Sequence, residues 1–248
     1  MKRNKFIKIS GIVGISLAIF PQLSFNNFTQ EFTRNQLIGK GNPDIVGDSY
    51  TSKMHKTAKE AFLKMKAAAA KENINIEVVS AYRSFQRQTE IFEGKYKRFT
   101  SEGLSPEKAI QKIIDYSTIP GTSRHHWGTD IDIIDANAPR PANVLMPENF
   151  HGDGPFCTLK TWLNNHAESF GFYEVYTDNG NRKGFKYEPW HFSYAPVSIP
   201  MLKAYKEHID VKKMLSEEKI LGNEHFSEAF ISKYVKENIM DINPKLLP

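Results

Sequence analysis

Pro120-Gly121-Thr122-Ser123-Arg124-His125-His126-Trp127-Gly128-Thr129-Asp130-Ile131-Asp132 is the stretch that decides the fold. Two histidines are followed by two acids at alternate positions, with turn-forming residues before and between them. From Thr129 to Asp135, Ile131 and Ile133 alternate with Asp130 and Asp132. A strand sends alternate side chains to opposite faces, so the isoleucines should enter a core and the two acids should share the other face. His125 precedes Gly128, and a bend there can return its ring toward Asp132. Downstream, Glu188-Pro189-Trp190-His191 adds another imidazole and another carboxylate. The spacing points to His125, Asp132 and His191 as three ligands of a metal with an open fourth position, the donor set of a catalytic zinc site. His126 is the alternative to His125. Pro189 disfavours a helical conformation at Glu188, so an extended or bent segment must present Glu188 and His191. Glu188 would then lie near the metal without binding it, where it can take a proton from the metal's water.

The remaining histidines, His55, His151, His166, His208 and His225, stand in no such pattern and read as structural or exposed. Asp130 and Asp135 read as a polar-face residue and a strand-end residue. Tyr82, Trp127 and Trp190 read as core aromatics.

Ser123-x-His125-x-x-Gly128-x-x-x-Asp132, followed by Glu188-x-Trp190-His191, resembles the signature of the VanY-type zinc D-Ala-D-Ala carboxypeptidase family. The same superfamily holds lysostaphin and the hedgehog signalling domain. Ser80-Ala81-Tyr82-Arg83-Ser84 resembles the family's Ser-Gly-Tyr-Arg-Ser, and Trp162-Leu163 to Phe170-Gly171-Phe172 is also family-like. The resemblance runs from about Asn75 to Ala195. The chain departs from the pattern at Ala81, where glycine is usual, at Asp130, where a small residue is common, and at Ser193, where arginine is frequent. The resemblance implies a zinc peptidase, one ion per chain, acting on peptidoglycan stem peptides as a D,D- or L,D-carboxypeptidase that releases terminal D-alanine. Arg83 would stabilise the developing oxyanion beside the metal. Ser123 and Gln88 would bind the substrate carboxylate, Gln88 because it falls where the family has a substrate-contacting glutamine. Two other classes are open. A non-catalytic wall-binding or signalling module could keep the fold, and the presence of Glu188 argues against it. A non-heme iron oxygenase also uses two histidines and one carboxylate, but commonly with histidine and acid two apart rather than seven.

The 248 residues carry a formal net charge of +5, with a pI of about 9.0. A basic surface suits an anionic polymer such as a cell wall. No basic run interleaves with aromatics, which excludes a nucleic-acid face of the usual kind. Lys2, Arg3, Lys5 and Lys8 precede an apolar run from Ile9 to Phe20. That pattern fits a secretory signal and is short for a membrane span. It predicts export to the periplasm or cell envelope, and no small-x-small cleavage site precedes Asn26, so an uncleaved membrane anchor is the other reading. The single cysteine, Cys157, excludes an internal disulfide and, by its position, a lipoprotein anchor.

Along the chain, residues 1–25 form the signal or anchor, 26–49 a linker with a first segment at Gln36-Leu37-Ile38-Gly39, 50–197 the peptidase domain and 198–248 a helical extension packed on it. Helices are predicted over Thr51–Lys71, Ser84–Phe99, Ser105–Tyr116, Phe156–Phe170 and most of Ser198–Met240, broken near Gly222. Strands are predicted over Ile74–Ala81, Thr129–Asp135, Phe172–Tyr176 and Gly184–Tyr187, the last two joined by a turn at Asp178-Asn179-Gly180-Asn181. Ala136–Gly154, with three prolines, reads as a loop bordering the cleft. The fold class is α+β: a small, mostly antiparallel sheet carries the zinc site and helices flank it, in a monomer.

Overall fold

The computed structural model describes residues 32–248, so the basic start and apolar run lie outside the described residues. Among the described residues no helix is long and apolar enough to cross a membrane.

The stretch read as linker is partly folded. Helix α1, Arg34–Ile38, opens on a Thr33–Gln36 capping box and ends at Gly39. Its Leu37 and Ile38 are fully buried, which explains why so short a helix is held: tertiary packing stabilises it where propensity cannot. Strands β1, Ile45–Val46, and β2, Met54–His55, make a small antiparallel pair. Helix α2, Lys56–Ala70, follows and buries Phe62 and Met65. Strand β3, Ile76–Ser80, alternates buried and half-buried side chains. Ser84 caps helix α3, Phe85–Ser101. Ser105 caps helix α4, Pro106–Ile113, with proline at its start. A short 3-10 turn over Arg124–Trp127 leads into strand β4, Asp130–Asp135. Helix α5, Cys157–His166, tightens into a 3-10 turn that stops at Gly171. Strand β5, Phe172–Glu174, strand β6, His191–Tyr194, and helix α6, Ala195–His208, come next. Helices α7, Val211–Glu217, and α8, Glu228–Tyr234, complete the chain, α8 running on into a wider turn over Val235–Ile239.

The main sheet has the order β3-β4-β6-β5 with every pair antiparallel. Ile131 and Ile133 enter a core formed with α2 and α5, among Phe62, Met65, Phe156, Leu159 and Trp162. Each such side chain contributes roughly 1.5–3 kcal/mol by burial. A second apolar cluster joins α1, α3 and α4 to α6, α7 and α8.

The hairpin expected from Phe172 to Tyr187 forms differently. β5 pairs with His191–Tyr194, in the register Phe172↔Tyr194 and Glu174↔Phe192. Residues 184–187 are drawn off the sheet instead: Lys186 donates its amide to Asp115 O at 3.0 Å, and Gly184 packs against the carbonyl of Glu237. Long-range contacts outweigh the local turn signal at 178–181.

Candidate metal centre and cleft

Register assembles the centre. In the β4–β6 pair, Asp132 lies opposite His191 and Asp130 opposite Ser193. Directly opposed side chains on one face are close enough to interact. His125 arrives from the 3-10 turn, which Gly128 ends at φ 69, a left-handed conformation that glycine adopts without strain. Its ring returns toward β4 as the sequence suggests: His125 Nε2 lies 3.5 Å from Asp132 Oδ2. His191 Nδ1 lies 3.8 Å from Asp132 Oδ1. One donor atom from each of His125, Asp132 and His191 falls within 4.8 Å of the other two, and all three residues are buried.

The tautomers suit a cation. His125 Nδ1 donates to the carbonyl of Ala81 at 2.7 Å, which leaves Nε2 with its lone pair. His191 Nε2 bonds Asp130 Oδ1 at 3.1 Å, which turns Nδ1 toward Asp132. His125 Nε2 and Asp132 Oδ1 are buried without any hydrogen-bond partner. Buried polar atoms are normally satisfied, so two orphaned donors facing one point are what a metal would complete. His126 is not part of this set. Its Nδ1 donates to the carbonyl of Arg83 at 2.6 Å and its Nε2 accepts the amide of Gly121 at 3.0 Å.

The two imidazoles differ: His125 is held neutral, whereas the carboxylates around His191 favour its protonated form, a positive charge that a bound cation would replace. Burial would lower the His191 imidazole, but hydrogen bonds to Asp130 and Glu188 and the charge of Asp132 push it up to about 10. Burial would raise Asp132, but His125 and His191 hold it down to about 2. Burial lowers His125, keeping that ring neutral and able to ligate. Burial raises Glu188 above the ordinary carboxylate value, against the opposing pull of His191.

Glu188 and His191 flank a turn at Pro189-Trp190, closed by the His191 amide on the Glu188 carbonyl at 3.1 Å. The segment is bent rather than helical, and Glu188 Oε2 reaches His191 Nδ1 at 2.8 Å. Arg83 follows β3, and its amide donates to the carbonyl of His125 at 3.1 Å. Gln88 does not line the cleft. It is fully buried, accepting from Arg83 Nη1 at 2.9 Å and donating to Ser117 Oγ at 3.3 Å and Thr118 O at 2.8 Å. Its amide is thus engaged in aiming Arg83. The cleft, open to solvent, has a volume of about 290 Å³; the segments before β4 line it with Arg83, Ser117, Thr118 and Ser123, and the segment between β5 and β6 lines it with Tyr176, Phe185 and Glu188, one wall each. Arg83 Nε, Thr118 Oγ1, Ser123 Oγ and Arg124 Nη1 are all buried there with no protein partner.

The sequence reads Asp130 as a polar-face residue and gives Arg124 and Ser193 no part in the centre. Arg124 Nε and Nη2 donate to Asp130 Oδ1 at 2.9 Å and Ser193 Oγ at 2.7 Å. Ser193 and Thr129 hydroxyls donate to Asp130 Oδ2 at 2.8 and 2.6 Å. Asp130 is therefore not an idle polar-face residue; it carries the bond that fixes His191. The signal was present, since Asp130 and Ser193 are both departures from the family pattern and face each other across β4 and β6.

The family model VanY, D-alanyl-D-alanine carboxypeptidase, matches residues 51–197. A D-alanyl-D-alanine carboxypeptidase of Enterococcus faecalis is 28% identical over 153 residues, 61% of this chain and 52% of that protein, so the chain spans about half the length of this curated relative. The solved structure of VanYB in complex with D-alanine-D-alanine is similar at a TM-score of 0.51 and 23% identity, over 73% of this chain and 92% of that one. A mutant of the vancomycin resistance D,D-pentapeptidase VanY, solved in complex with Zn(II), is similar at a TM-score of 0.50 and 20% identity, over 75% and 90%. At these identities the two structures establish the fold.

Proposed function

The chain belongs to the VanY D-alanyl-D-alanine carboxypeptidase family, and from that premise we propose that it is a zinc peptidase that removes the terminal D-alanine of peptidoglycan stem peptides. The observation that carries this reading is the convergence of His125 Nε2, Asp132 and His191 Nδ1, with two of the donor atoms orphaned, beside a buried carboxylate at Glu188. Glu188 is what favours hydrolysis over a binding module.

His125, Asp132 and His191 would hold the ion. Zinc bound there supplies Lewis acidity, lowering the pKa of a bound water to about 7 and polarising the scissile carbonyl. Glu188 accepts the proton of the attacking water and returns it to the leaving amine, a role suited to a carboxylate raised by burial. Arg83, held by Gln88, directs its free Nε toward the oxygen on which charge develops. Ser123 Oγ and Thr118 Oγ1 are free to hold the substrate carboxylate. Asp130 orients His191, as carboxylates beyond a metal's own ligands commonly do. The basic start and apolar run support export to the cell envelope.

Digestion of defined tri-, tetra- and pentapeptide stems, with the products weighed, tests the reading. Loss of one D-alanine from a D-alanine-terminated stem is expected. Cleavage only at internal bonds, or none in zinc-loaded protein, would overturn it.

A further inference from the structure

The family match ends at residue 197, yet the chain beyond it touches both walls of the cleft. On one wall, the Tyr234 hydroxyl accepts the amide of Ile119 at 3.1 Å and bonds the Thr122 hydroxyl at 2.8 Å. The Tyr205 hydroxyl donates to the carbonyl of Gly121 at 2.9 Å. These bonds fix the loop that offers Thr118 and Ser123. On the other wall, Asp241 Oδ2 accepts the amides of Lys183 and Gly184 at 2.6 and 3.3 Å. Arg182 donates to the Asp241 carbonyl through Nε and Nη2, at 3.1 and 3.0 Å. The Asn243 amide donates to Val175 O at 2.9 Å. These bonds fix the segment that carries Tyr176, Phe185 and Glu188. The approach is close enough that a Cβ at residue 184 would overlap the Glu237 carbonyl.

We infer that residues 198–248 act as a frame that sets the spacing of the two cleft walls, with Tyr205, Tyr234 and Asp241 as positioning residues for substrate selection. The inference rests on the function proposed above. None of the three touches the metal-binding side chains or Glu188, so the frame acts on substrate fit rather than on the chemistry. A substrate spanning the cleft would reach Thr118 and Ser123 on one wall and Glu188 on the other only at the correct separation. Two buried tyrosine hydroxyls and a carboxylate facing backbone amides are directional contacts; packing of the same helices without them would hold the fold and leave the loops free to shift.

The test compares wild type with Tyr234→Phe and Asp241→Asn, which loosen opposite walls, and with Tyr205→Phe in case either fails to fold. Each zinc-loaded protein is assayed well below its melting temperature, on stems ending in D-alanine and in a bulkier D-residue, with zinc content measured on the same sample. Loss of a buried hydrogen bond predicts a KM for the D-alanine stem raised roughly tenfold, with kcat changed far less and zinc content unchanged. Discrimination against the bulkier residue should fall by a similar factor. Exchange of the Ile119 amide should quicken in Tyr234→Phe. Lowered melting temperature with unchanged KM and unchanged discrimination would overturn the frame and leave the peptidase reading intact. A wild type that binds and cleaves no stem would overturn the peptidase reading, and the frame with it.

Discussion

Asp130 stands directly behind His191, one of the three proposed ligands. Four donors converge on its two oxygens: Arg124, Ser193, Thr129 and His191. It is fully buried, and Arg124 opposes the cost of burying its charge. Replacing it by asparagine keeps the shape and weakens the acceptor for His191 Nε2–H, so the ring loses the bond that holds Nδ1 toward Asp132. Zinc affinity of Asp130→Asn, measured by competition with a chelator, should fall 10- to 100-fold. An unchanged affinity in a folded variant would make Asp130 a purely structural acid. At this scale the sequence was legible wherever spacing alone carries meaning. His125, Asp132 and His191 follow from one strand pattern, one bend and one proline. Asp130 was not, because its importance comes from a cross-strand neighbour, Ser193, 63 residues away in sequence. For Gln88, sequence position fixes its place on α3 but not that its amide meets Arg83, Ser117 and Thr118.

Elements place those residues, and the 3-10 turn ending at Gly128 is the most constrained of them. The glycine holds φ 69, and its carbonyl accepts the amide of His55 at 2.8 Å, tying the bend to β2. An added Cβ would lie 2.7 Å from the His55 nitrogen and would overlap Ile45 Cδ1. Gly128→Ala should therefore destabilise the protein by roughly 2 kcal/mol or more, from left-handed backbone strain and overpacking together. It should also weaken zinc binding, because His125 lies in that turn. Thermal unfolding and chelator competition check both, and an unchanged melting temperature would contradict the account. Helices were readable where caps are explicit, as at Ser84 and Ser105. The strand expected at residues 184–187 was not found, because its alternation is outweighed by bonds to Asp115 and Asp241 that no local window contains. Helix α1 fell in a stretch read as linker because five residues carry too little periodicity to announce a helix.

For the whole molecule, one apolar cluster includes the buried face of the four-stranded sheet, a second joins α1, α3 and α4 to the C-terminal helices, and the β4–β6 register brings a buried group of acids and histidines to one cleft. The α+β class followed from the order of strands and helices. The part played by the C-terminal helices did not, because hydroxyl-to-backbone bonds from Tyr205 and Tyr234 leave no pattern in sequence. The central claim is that His125, Asp132 and His191 bind the metal while Glu188 moves the proton. It is tested most directly by zinc content and stem-peptide hydrolysis, measured on the same preparations of wild type and Glu188→Gln. The amide keeps nearly the same shape but cannot accept the water's proton. The account predicts about one zinc per chain in both proteins and a turnover roughly 10²- to 10⁴-fold lower in the variant. Loss of metal together with activity would make Glu188 a ligand, and retained metal with full activity would remove it from the reaction; either result contradicts the claim.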